Sequence, residues 1–228
     1  MAYFTSKDEV VNKFTMGNVD IALHESDWDP DEGDGENMFP GYTVYKNPTV
    51  KNTSSADNGE EPVYCRLIIS IEDEEGNRIR DQETLNLIRE TIRYDSSYSG
   101  SFDSRGESPT LIQDRVPGYC RSEIEKYPMV NPLFEMDEKR SEDNRLVFNY
   151  KGEKGDYILN TSEEATLFTH VVIPIDWSLD DVLLAGDFNL IVSSEAIQCA
   201  GFTDVWAAYD ALDQQADSLD EEKGGDEA

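Results

Sequence analysis

Cysteine, histidine and basic residues are scarce in this chain of 228 residues, and each scarcity closes off a class of function. Cys65, Cys120 and Cys199 are an odd number, so at most one disulfide can form within the chain and one thiol is left over. That excludes a disulfide scaffold. With only His24 and His170 available, a histidine-rich metal centre cannot be assembled. In "HESDW" a zinc-protease helix needs a second histidine four residues after His24, where Trp28 stands. No phosphate-cradling glycine loop, G-x-S-x-G elbow or CxxC is present either. Catalysis has no legible tools, and the chain reads as a non-enzyme.

Long apolar runs are missing too. "LIISI" and "VVIPI" fall far short of the twenty or so residues that cross a bilayer, so no membrane span is expected. The first residues lack the charged, apolar and small-residue regions of a secretory leader. Nineteen basic residues face 49 acidic ones, a formal charge of −30 that repels phosphate backbones and anionic membrane surfaces alike. Nucleic acid is thereby an unsuitable partner. Such an excess fits a solvated extracellular surface or one screened by divalent cations, and an acidic cytosolic protein carries the same signature.

What the chain does hold is enough apolar material for one sizeable core, with 38% hydrophobic and 10% aromatic residues. Val19, Ile21 and Leu23 alternate with Asp20, Ala22 and His24, the period of a half-buried strand. Residues 9 to 24 read as one or two strands interrupted near Gly17 and Asn18, and Tyr42 to Asn52 as another with Pro48 at an edge or bulge. "VYCRLIISIED" is the plainest strand. Its register puts Val63, Cys65, Leu67, Ile69 and Ile71 on one face, so Cys65 reads as a small buried hydrophobe. Cys120 and Cys199 are left as a pair that can bridge or stay free.

Leu85, Ile88 and Ile92 have helical spacing, with a strand at the end of that segment left open. "RLVFNYKGEKGDYILN" reads as a hairpin, and "ATLFTHVVIPIDW" and "GDFNLIVSSEAIQC" as strands. Val205, Tyr209 and Leu212 behind a Thr203 cap predict a terminal helix. The expectation is a mainly β chain, an antiparallel β-sandwich with short helices in the connections and one at the C-terminus. It spans residues 1–212 as one domain, holds an acidic, loop-rich middle at about 72–145, and ends in a disordered acidic tail over 213–228.

Seven acids and no base occupy "ESDWDPDEGDGE", with Asp27, Asp29 and Asp31 at the alternate spacing of a calcium loop. An EF-hand then requires glycine sixth and glutamate twelfth, where Glu32 and Met38 stand, so that motif is broken. A looser calcium site from Asp27, Asp29, Asp31 and Asp34 is the one metal candidate; no other cofactor is expected. "NTS" at Asn52 and at Asn160 fits a glycosylation acceptor.

Three stretches carry a family resemblance. Ala2 to Thr5 are followed by Asn12, Phe14, Gly17, Val19 and Ile21; then come Pro40, Gly41, Lys46, Val50, Asn52 and Thr53; "AIQCAGF" closes the last strand. In these the chain resembles the camelysin/TasA family, secreted proteins of Gram-positive bacteria whose signal peptides are cut by a SipW-type peptidase. The resemblance implies a jelly-roll-like sandwich, a leader that once preceded Ala2, and secretion to the cell surface or biofilm matrix. It also implies self-association into fibres by donation of an N-terminal strand, with other matrix or surface proteins as further partners. The donor segment would be Ala2 to Phe14, with Ala2, Tyr3, Phe4, Val10, Val11 and Phe14 as its assembly residues; a first strand folded back on its own domain is the alternative. Two rival functions stand beside this one: a camelysin-like metal-dependent endopeptidase, for which no zinc motif is present, and a calcium-linked surface adhesion module.

Overall fold

A computed structural model describes residues 12–13, 19–29, 31, 34–54, 61–106 and 120–224. The longest pairing in it joins β5 (Val63–Asp73) to β12 (Phe188–Gln198), antiparallel over eleven residue pairs from Val63↔Gln198 to Asp73↔Phe188. On the far side of β5 lie β8 (Arg145–Tyr150) and then β7 (Phe134–Met136), while β9 (Ile158–Leu159) also pairs with β5. On the far side of β12 lies β1 (Asn12–Lys13), in parallel.

The second sheet is built around one interrupted pair of strands. β3 (Thr43–Tyr45) and β4 (Thr49–Asn52) pair with β11 (His170–Val172) and β10 (Glu164–Thr166) in a single register, Tyr45↔His170 at one side of the break and Thr49↔Thr166 at the other. Pro48 has no N–H to offer a ladder. Its carbonyl still accepts from Leu167 N–H, and Lys46 N–H donates to Thr169. The segments 42–52 and 165–177, each read from sequence as one strand, are therefore each interrupted, the first at this proline and the second opposite it. β2 (Ile21–His24) adds to β4, and β6 (Ile92–Arg93) adds to β11. One apolar cluster takes in Val44, Val50 and Val171 of this sheet with Leu67, Ile69, Phe148 and Leu190 of the other. The chain is thus mainly β with antiparallel sheets, compatible with a jelly roll.

α1 (Gln82–Thr91) starts at Asp81, whose carboxylate accepts Thr84 N–H, and buries Leu85 and Ile88. It runs straight into β6, so the strand left open at its end is present. α2 (Arg121–Ile124) is one turn; α3 (Leu179–Ala185) opens with a capping box on Ser178. The described part of the middle segment, with α1, β6 and β7, is packed into or paired with the rest of the fold.

Three sequence readings are corrected. The runs of "RLVFNYKGEKGDYILN" do not pair as a hairpin: β8 and β9 follow one another along the same edge of β5, and the hairpin partner of β8 is the preceding β7. Both runs are apolar enough to claim β5, so the loop between them bulges outward instead of reversing the chain. The cap of the C-terminal helix α4 (Val205–Gly224) is Asp204, whose carboxylate accepts Ala207 N–H, in place of Thr203. The helix also runs past 212, because two buried arginines hold its next turn; the tail from 225 lies outside the described residues.

Those arginines form the clamp between helix and sheet. Arg66 on β5 donates to Glu195 and to Asp213 (2.7 Å each), and Arg140 donates to Asp213 (2.6 Å) and Asp137 (3.0 Å). Both guanidinium groups lie over the buried Tyr209 ring, at 5.5 and 5.8 Å, and the Tyr209 hydroxyl donates to Cys65 O. Burial pushes the Asp213 carboxyl up, but hydrogen bonds from Arg140 and Arg66 outweigh it and hold it below the ordinary range. In Asp137 the same balance is struck against Asn149 and Arg140, with the same net sign.

A depressed folded-state value means that these carboxylates stabilise the fold fully above the unfolded value of about 3.9 and lose that contribution as pH falls through the folded one. Melting temperature followed by circular dichroism should therefore drop more steeply below about pH 4 in the parent chain than in Asp213→Asn. At pH 7 the variant should melt lower.

Candidate functional site

Two places carry the residues singled out from sequence, the outer edge of β12 and the acidic loop after β2. Among the described residues, β12 meets a strand on that edge only at Ser194 and Glu195, opposite Asn12 and Lys13. Its sequence, FNLIVSSEAIQ, contains neither Pro nor Gly and one charge, Glu195, which is turned to Arg66. Two of its buried polar atoms, Ser194 Oγ and Asn189 Oδ1, have no hydrogen-bond partner among the described residues. The proposed assembly residues Ala2, Tyr3, Phe4, Val10, Val11 and Phe14 lie outside the described residues.

In the acidic loop the carboxylates of Asp27, Asp29 and Asp34 each accept hydrogen bonds from different groups. Asp27 accepts the Tyr98 hydroxyl at 2.5 Å and Gly106 N–H at 3.0 Å to both oxygens. Burial first, and then the Asp27 carboxylate, raise the Tyr98 phenol above its ordinary value, so it stays a donor. Asp34 instead accepts Asp29 N–H (2.9 Å), and Asp29 accepts Asp31 N–H (3.1 Å). These carboxylates cap turns of their own loop, as Asx side chains do. Among the described residues no group of three or more His, Cys, Asp and Glu is placed to hold a metal ion.

What anchors this loop is Lys46, which sequence reading noted only as part of a family pattern. Its side chain is fully buried, its ammonium 2.6 Å from the Glu25 carboxylate and 4.6 Å from the Trp28 ring centroid. The adjacent Asn47, also buried, accepts Asp27 N–H and donates to Ser26 Oγ, which donates to Ser101 O and Ser104 O. The signal that could have revealed Lys46 is its place two residues after Val44, on the inward face of a strand.

The histidines stand in unlike settings. His24 is exposed, with Nδ1 2.7 Å from Phe102 O; His170 is buried, with Nδ1 2.6 Å from Thr169 Oγ1 and its ring 4.7 Å from that of Tyr45. All three cysteines are free. Cys65 is buried in the core as read, and burial raises its thiol far above the ordinary range; burial likewise pushes Cys199 up to about 12. Asn52, one of the two glycosylation candidates, is fully buried and donates to Glu61 O and Leu159 O, whereas Asn160 is exposed.

No protein-family model matches the chain. Nor does any curated protein or solved structure compared with it.

Removing one member of a buried ion pair strands the other in the core. Lys46→Met should lower stability by about 3–5 kcal/mol, seen as a fall in the urea midpoint at unchanged slope. Lys46→Met with Glu25→Leu should recover much of that loss, because an apolar pair of similar volume leaves no buried charge behind.

Proposed function

We propose that this chain is a structural subunit, secreted to the cell surface or biofilm matrix, that self-associates by β-strand addition along the outer edge of β12. The observation that carries the reading is the character of that edge. An eleven-residue strand is paired along its whole inner side and, among the described residues, at only two positions outside. Natural sheets blunt such edges with proline, bulges or outward charge, since a row of unpaired N–H and C=O groups templates any extended chain. β12 carries none of these devices apart from Glu195, and that side chain is engaged by Arg66.

Strand addition supplies backbone partners along the part of this edge that meets no strand among the described residues, and a side chain of the added strand can reach Ser194, opposite Asn12. In a single copy the N-terminal segment meets this edge at Asn12 and Lys13. Exchanging that segment between copies keeps the same contacts and turns a self-contained domain into an open chain of subunits, which is the low-cost route of domain swapping. The resemblance to the camelysin/TasA family points the same way. It is also the sole support for secretion and a matrix setting.

The test is negative-stain electron microscopy of three proteins: the chain beginning at Ala2, the same chain lacking residues 2–13, and Ser193→Lys. Fibres are expected from the first, and monomers from the second and third. Ser193→Lys should keep the parent melting temperature, as a half-buried edge substitution outside the core. Monomers from all three would mean that the N-terminal segment closes its own sheet, and would end the assembly reading.

A further inference from the structure

A cleft of about 700 Å³ lies on the side of the sandwich away from the outer edge of β12, where the loop after α2, the end of β6 and the loop after β8 meet. Its walls are tied by backbone hydrogen bonds: Tyr94 N–H donates to Pro128 O, and Lys151 and Gly152 N–H both donate to Leu133 O. The buried Asn131 locks one wall, donating to Thr166 O and accepting Leu133 N–H. Gly152 sits at φ 68°, a backbone conformation that favours glycine, and this turns the chain so that Lys151 and Glu153 line the opening. The cavity is thus held in shape before any ligand arrives, as small-molecule sites generally are.

Two features of the lining specify a ligand. Tyr94, Tyr127, Pro128 and Pro132 present stiff ring surfaces, which bind flat apolar faces at little cost in rotamer entropy. The Tyr94 hydroxyl makes no hydrogen bond among the described residues and is left to serve a polar substituent. The second feature is charge. Acids outnumber bases 49 to 19 in the chain, yet the cleft is lined by Lys126 and Lys151 against the single carboxylate of Glu153. Lys126 pairs with Glu123, while Lys151 has no carboxylate within ion-pair distance among the described residues. In so acidic a protein a lysine left without a carboxylate at the mouth of a cavity is a site for an anion from outside.

From this we infer a binding site for a carboxylate-bearing saccharide. Pyranose rings offer C–H faces to the tyrosine and proline rings, their hydroxyls suit the Tyr94 phenol and Ser96, and a uronate carboxylate takes the Lys151 ammonium. The volume accommodates a short oligosaccharide. This inference is independent of strand addition, since none of its residues lies on β12.

Isothermal titration of the full chain with tri-galacturonate tests it, with maltotriose as the neutral trimer and a proline-rich decapeptide as the alternative occupant of a Tyr/Pro-lined groove. The expected result is a dissociation constant on the order of 0.1–1 mM for tri-galacturonate, with maltotriose several-fold weaker. Lys151→Gln should weaken tri-galacturonate about tenfold, a charge-assisted contact being lost. Lys151→Arg should retain most of the affinity, and Lys139→Gln, on a lysine that pairs with Asp210 beside α4, should change nothing. Added salt should weaken binding, as for any surface ion contact. Four outcomes each overturn the proposal: no heat with tri-galacturonate up to about 10 mM, equal binding of maltotriose, preference for the peptide, or indifference to Lys151→Gln. Unchanged melting temperatures in the variants would exclude unfolding as the cause of any loss.

Discussion

The ladder between β5 and β12 is the constraint on which the rest of the molecule depends. Eleven consecutive residue pairs align two strands whose neighbours differ on each side: β8 and β9 beyond β5, the N-terminal segment beyond β12. Its inner face meets the second sheet, and its outer face receives α4 through Ile197, Val205, Ala208 and Tyr209. A strand covered on both faces carries apolar residues at successive positions, which is why Leu67, Ile68 and Ile69 are all buried. Arg66 is the exception that proves useful, since its charge, buried in the same strand, holds the helix in place.

Elements written by local pattern were legible in the sequence. The alternation around β2, the helical spacing of Leu85 and Ile88, and the buried position of Cys65 all follow from side-chain periodicity, and the structure agrees with each, while Ile92 of the same pattern begins β6. What periodicity cannot report is pairing choice. Nothing local distinguishes a hairpin of β8 with β9 from two strands sharing one edge of β5, because the choice belongs to the competition for that edge. The length of α4 was hidden for a similar reason: the acid-rich turn that extends it is held by arginines about 70 and 150 positions upstream in the chain.

Legibility of the candidate site was poorer still. The acidic loop looks like a ligand set on paper, yet Tyr98, Gly106 and the loop's own amides occupy the carboxylates in space. The cleft beside Lys151 draws its residues from three separated stretches that no motif links. The described residues that carry the family resemblance are instead scaffold: Gly41 in a turn, Lys46 in a buried ion pair, Val50 in the core, Asn52 bridging two carbonyls, Ala196 and Ile197 packed inside. A pattern of that kind marks how a chain folds more directly than what it touches.

Several of the chain's few cations are spent internally, Lys46 on Glu25 and Arg66 and Arg140 on the helix clamp. Each of these cations takes carboxylates inside with it, so the excess of 49 acids over 19 bases is left to the surface, and such a particle behaves as a charged colloid. Copies approaching one another must first interpenetrate two counterion clouds, whose thickness is about 10 Å in 0.1 M salt and about 3 Å in 1 M salt. Contact of order 5 Å between strands is out of reach of a thick cloud and within reach of a thin one. Ionic strength thereby becomes the gatekeeper of encounter between copies, setting when edges can meet while leaving the fold of each copy to its core.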